Sequence, residues 1–140
     1  MAFAQMPVLG EATLQVWEKV KQEAIQEAIK SGQEPTRDNA MKSMMDKMRA
    51  HIDELKKALV EDCTIPYGQE KSDNCKCVTD KGDYNKIFSF IEKVEKQPEE
   101  AKKESKILRE ELEDNYKSCD LDFSVAQKAM KNAAQKMRKH

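Results

Sequence analysis

An all-α chain, an elongated bundle of four to five amphipathic helices stapled by two disulfides, is the fold class that three observations predict. Of 140 residues, 39% are hydrophobic and 36% charged, with only four glycines and four prolines, a composition that suits amphipathic helices and starves a β core. Apolar residues recur at three- and four-residue steps along most of the chain, which is the period of one helix face. Four cysteines are an even number in a short chain, the usual form of a disulfide framework. The length fits a single domain, residues 1–140, with one modest core and a cysteine-bearing loop at 61–82.

The first helix is predicted within residues 11–32, where Trp17, Val20, Ala24, Ile25, Ala28 and Ile29 share a face and Gly32 stands ready to end it. A second helix follows Pro35 and the cap candidate Thr36. Its seam, Met41, Met45, Met48, Ile52, Leu55 and Leu59, is spaced 4-3-4-3-4, and one further step reaches Cys63. Such a seam suits packing within the chain or across a dimer. A third helix starts near Asp83 and carries Tyr84, Ile87, Phe88, Ile91 and Val94 on one face. Pro98 breaks or restarts it, since proline clashes inside a helix but fits the first turn.

Beyond Pro98 the chain is very polar. Its one stripe, Ala101, Ser105, Leu108, Leu112, Tyr116 and Cys119, is wide enough for a single neighbour. The last helix groups Val125, Ala126, Ala129, Met130, Ala133 and Met137, with Asp122 or Ser124 as its cap. No internal repeat or low-complexity linker interrupts this plan.

Cys63 and Cys119 fall on apolar stripes at helix ends, while Cys75 and Cys77 lie in the polar stretch between them. A bond between Cys75 and Cys77 would close a small, strained ring. Two pairings remain: Cys63–Cys75 with Cys77–Cys119, or Cys63–Cys77 with Cys75–Cys119. Loops of these lengths stabilise by roughly 3 and roughly 4 kcal/mol in the chain-entropy picture, comparable to the net stability of a small domain. A four-cysteine zinc site is disfavoured because structural zinc prefers C-x-x-C pairs, and only C-x-C is present. A staple points to an oxidising compartment and a secreted, extracellular protein.

No catalytic motif is found, so a non-enzyme with no cofactor and no metal is expected. There is no H-E-x-x-H, no G-x-S-x-G, no phosphate loop and no cysteine beside a base. Of the two histidines, His51 flanks the seam of the second helix and His140 ends the chain. The net charge of −1 gives no global reason to bind nucleic acid. No run reaches the ~20 apolar residues of a membrane span. The opening MAFAQMPVLG lacks the basic and apolar regions of a signal peptide and is compatible with the mature end left by one.

Three features could carry binding. Ile65, Pro66 and Tyr67 in TIPYG put apolar and aromatic side chains on an expected constrained turn. Lys128, Lys131, Lys136, Arg138 and Lys139 form a basic C-terminal run opposite the locally acidic helix of Glu99, Glu100, Glu110, Glu111, Glu113 and Asp114. That run suits either its acidic neighbour or a partner with an acidic surface or sulfated glycan. Trp17, Met44, Met48, Phe88, Phe90 and Ile91 could line a hydrophobic pocket, although with only eight aromatic residues such a pocket competes with the core.

The cysteine pattern C-x(11)-C-x-C-x(41)-C departs from that of insect odorant-binding and chemosensory proteins. In size and style the chain is similar to helical four-cysteine salivary proteins of blood-feeding arthropods, some of which inhibit host complement or coagulation. This similarity rests on no motif and transfers no residue. The expected function is therefore a secreted non-enzymatic binder that engages or blocks a macromolecular partner, of an inhibitory or host-directed kind. A carrier of a small hydrophobic ligand and an intracellular helical adaptor are the alternatives.

Overall fold

The computed structural model describes residues 8–32, 37–94 and 96–138. Pro35, Thr36, Lys139, His140 and the side chains of Met137 and Arg138 lie outside the described residues. Among the described residues the chain is all-helical, in seven helices rather than four or five: α1 (Glu11–Ser31), α2 (Arg37–Ala50), α3 (Ile52–Tyr67), α4 (Ser72–Lys81), α5 (Tyr84–Lys93), α6 (Pro98–Ser118) and α7 (Phe123–Arg138).

Helix α1 ends at Gly32, which takes the left-handed conformation (φ 70°) of a helix C-cap. Its inward face buries Leu14, Trp17, Val20 and Ala24, while Ile25 and Ile29 stay exposed. The long second helix divides at His51 into α2 and α3. The His51 amide bifurcates to the carbonyls of Lys47 and Met48, and its ring lies 3.0 Å from Glu23 and 3.5 Å from Glu54. The 4-3 seam survives the break. Met45 and Met48 are buried where α2 packs on α1 and α5, Leu55 and Leu59 where α3 packs on α1, and Cys63 is buried against α4, so the seam is spent inside the chain.

The expected loop at 61–82 is the main correction. Helix α3 runs on through Cys63, Ile65 and Pro66 to Tyr67 and stops at Gly68 (φ 98°). A 3-10 turn, Gln69–Lys71, leads directly into α4. Helix α4 exists because Cys75, Val78 and Thr79, at steps of three and four, bury one narrow stripe. The TIPYG segment is therefore a helix end and not a constrained turn.

Helix α5 is capped by the Asp83 carboxylate, which accepts from the Lys86 amide at 3.2 Å, and buries Phe88, Phe90 and Ile91 between α2 and α6. Pro98 is the first residue of α6, as its missing N–H allows. Lys86–Glu111 and Lys93–Glu104 bridge α5 and α6 at 3.1 and 2.9 Å. A tight corner with Asp120 at φ 59° turns the chain into α7, which Asp122 caps by accepting from the Ser124 amide and hydroxyl.

Two disulfides cross-link the bundle in the first of the two feasible pairings, Cys63–Cys75 between α3 and α4 and Cys77–Cys119 between α4 and the end of α6. Buried side chains form two clusters. One centres on Trp17, Met48, Leu55 and Phe88, the other on the cysteines with Val78, Tyr116, Leu121 and Ala126.

Candidate functional site

Helices α6 and α7 form a hairpin whose corner is pinned to α4 by Cys77–Cys119 and by Asn74, which donates to the Cys119 carbonyl at 3.0 Å. At the corner the two helices meet, with the rings of Tyr116 and Phe123 5.4 Å apart. Farther out they enclose a cleft of about 790 Å³. Its floor comes from Leu59 of α3, Val78 of α4 and Ile87 of α5, together with Leu9. Leu108, Leu112 and Tyr116 line the α6 wall, and Phe123, Met130 and Ala134 line the α7 wall.

Local sequence explains why the cleft is apolar. The stripe along α6 is narrow; Tyr116 meets Phe123 at the corner, but beyond that contact α7 offers Leu108 and Leu112 only Met130 and Ala134 as apolar side chains across the cleft. Helix α6 buries just Ala101 and Tyr116 fully. Leu108 and Leu112 remain half-buried in the walls of the cleft.

Two phenols reach this surface. The Tyr84 hydroxyl donates to the Thr79 carbonyl at 2.7 Å, and burial raises its pKa well above the usual value. Burial likewise raises Tyr116. Tyr67, also raised by burial, stacks on Tyr116 at 6.4 Å and donates to the Asp122 carbonyl. Below about pH 10 these phenols are protonated in both folded and unfolded chains. Above it the unfolded chain releases protons that the folded chain keeps, so stability falls as pH rises. In an alkaline titration, phenolate absorbance from Tyr84 and Tyr116 is expected to appear only together with loss of helical circular dichroism. Full phenolate formation with the helices intact would contradict this burial.

No protein-family model, curated protein or solved structure matches this chain.

The structure redistributes the expected site residues. Trp17, Met48, Phe88, Phe90 and Ile91 are buried in the solid core, with Met44 packed half-buried against it, and none of the six lines the cleft. The large aromatics fill the core first, as Trp17 against Phe88 at 6.3 Å shows. Ile65 is 73% exposed and Pro66 is exposed, whereas Tyr67 packs back on Tyr116. Lys128 and Lys131, three residues apart on α7, both line the cleft. Cys63, Cys75, Cys77 and Cys119 are all in disulfides, which removes them as zinc ligands. Among the described residues no group of three or more His, Cys, Asp or Glu side chains is arranged to hold a metal ion, and no helix is long and apolar enough to cross a membrane.

Proposed function

We propose that this chain is a secreted, non-enzymatic binding protein that takes a small hydrophobic ligand into the cleft between α6 and α7. The observation that carries the proposal is the cleft itself: its volume, about 790 Å³, falls in the range of roughly 300–1,000 Å³ typical of small-ligand sites, and such sites favour the space between helices of a bundle. A covalent link fixes the corner on which both of its walls turn. The two disulfides support an oxidising, extracellular setting.

The neutral fluorophore N-phenyl-1-naphthylamine tests this reading. Its emission is expected to rise and saturate at one molecule per chain. Leu112→Trp, which fills the space between the walls, is expected to weaken uptake by about tenfold or more, the equivalent of about 1.4 kcal/mol, while helical circular dichroism is retained. Absence of any enhancement, or equal uptake by the variant, would refute the cleft as a ligand site.

Engagement of a macromolecular partner is the second reading, favoured by Ile65. This side chain is 73% exposed on the last turns of α3, two residues from the Cys63–Cys75 link. It stands outside the cleft.

A further inference from the structure

We infer that the ligand is a single-chain amphiphile with an anionic head, its alkyl chain on the apolar floor and its head held at the rim by Arg109 and Lys131, with Lys128 nearby. The inference rests on the reading of the cleft as a ligand site and adds the charge and orientation of its occupant.

Five charged side chains line the cleft: Asp83, Arg109, Glu111, Lys128 and Lys131. The two acids are already engaged. The Glu111 carboxylate receives the Lys86 ammonium at 3.1 Å, and that of Asp83 accepts from the Lys86 amide. The three cations form no ion pair with any described residue. Glu110, Glu113 and Asp114 belong to the exposed side of α6 and do not line the cleft. Helix α7 contains no acid at all between Phe123 and Arg138. The rim thus carries a net positive charge in a chain whose overall charge is −1.

The cations are also at matching heights. At 1.5 Å per residue along a helix, Arg109 lies about 14 Å and Lys131 about 12 Å from the corner, and Lys128 about 8 Å. Arg109 on one wall and Lys131 on the other can therefore address one head. The apolar side chains of Leu112, Tyr116, Phe123 and Met130 lie on the corner side of that level, where an alkyl chain would be covered. A guanidinium forks onto a carboxylate or phosphate with two parallel hydrogen bonds, and an ammonium adds a point charge.

Displacement of bound N-phenyl-1-naphthylamine by dodecanoate, dodecyl phosphate, dodecanol and dodecylammonium, all below their micelle concentrations, tests the inference. Dodecanoate is expected to displace the probe about tenfold more tightly than dodecanol, the factor that one charge-assisted hydrogen bond supplies. In the triple variant Arg109→Gln, Lys128→Gln, Lys131→Gln, whose sites are all exposed, that gap is expected to close to about twofold or less. A tighter dodecyl phosphate would support the same chemistry and assign the head to a phosphate rather than a carboxylate. Equal affinity for dodecanoate and dodecanol, preference for dodecylammonium, or a gap that persists in the variant would overturn the anionic head while leaving the cleft reading intact. A probe that never binds would overturn both.

Discussion

Replacing Cys77 and Cys119 together by serine is expected to lower stability by about 4 kcal/mol, the chain-entropy value for a loop of this span. The bond closes a sequence separation of 42, so the unfolded chain gains much freedom when it is cut. The native side makes the loss larger for one element than for the rest. Helix α6 fully buries only Ala101 and Tyr116 along its 21 residues; Ala101 and Leu108 join the cluster of α5, and the ion pairs that add to this contact are exposed, each worth little in water. Without the disulfide, α6 depends on the Asn74 hydrogen bond, the exposed one from the Lys81 ammonium to the Ser118 hydroxyl at 2.7 Å, and the Tyr116 contacts to keep its end on α4. The midpoint of thermal unfolding is expected to fall by on the order of 10 °C, with probe uptake falling in parallel as the cleft loses its fixed corner. The Cys63→Ser, Cys75→Ser pair spans a separation of 12 and is expected to cost about 3 kcal/mol with a smaller effect on uptake. A midpoint within about 2 °C of the parent for the first variant would show that the link does not hold α6.

The second large effect is expected at Asp62. This carboxylate is 2% exposed and lies at the start of α1 although it belongs to α3. It accepts from the amides of Ala12 and Thr13 at 3.0 and 2.9 Å and from the Thr13 hydroxyl at 2.7 Å. Two of the orphan donors of the first turn are thus satisfied by a residue some fifty positions downstream, and a negative group sits where the helix dipole favours one. The fit is close. A Cβ on Gly10 would stand 3.0 Å from the Asp62 carboxyl carbon. Asp62→Ala leaves buried donors without acceptors and is expected to cost about 3–5 kcal/mol. Asp62→Asn keeps the shape and one acceptor oxygen and is expected to cost about half as much. Urea denaturation of both variants, with Thr13→Ala alone and combined with Asp62→Ala, separates the pair's coupling from its separate losses. A loss below about 1 kcal/mol for Asp62→Ala would show that the contact is incidental.

Local signals were legible where a stripe was wide or a residue acted as punctuation. Trp17, Val20 and Ala24 announce α1, Gly32 ends it, Asp83 caps α5 and Pro98 opens α6. Helix α4 stayed hidden because its stripe consists of Cys75, Val78 and Thr79, residues that read as a polar loop unless a bridged cysteine is counted as apolar. The break at His51 leaves no trace in a seam that keeps its 4-3 spacing across it. The Asp62 cap is non-local, and no window of a few residues contains both partners. The cleft is non-local too. Leu108, Leu112 and Tyr116 are plain in the sequence as a thin stripe, but only the splay between α6 and α7 shows that half of it faces open space. The expected pocket residues Trp17 and Phe88 pack against each other in the core, and the cleft is lined instead by leucines, Val78, Ile87, Met130, Tyr84, Tyr116 and Phe123.

The two sulfurs of α4 stand two residues apart, which at 3.6 residues per turn sets them about 200° apart around the helix. One therefore faces α3 and the other the tip of α6, and exchanging their partners would require the helix to roll half a revolution about its own axis. Val78 and Thr79 would then point into water. The coil of α4 acts as a key that, once wound, presents each thiol to one lock.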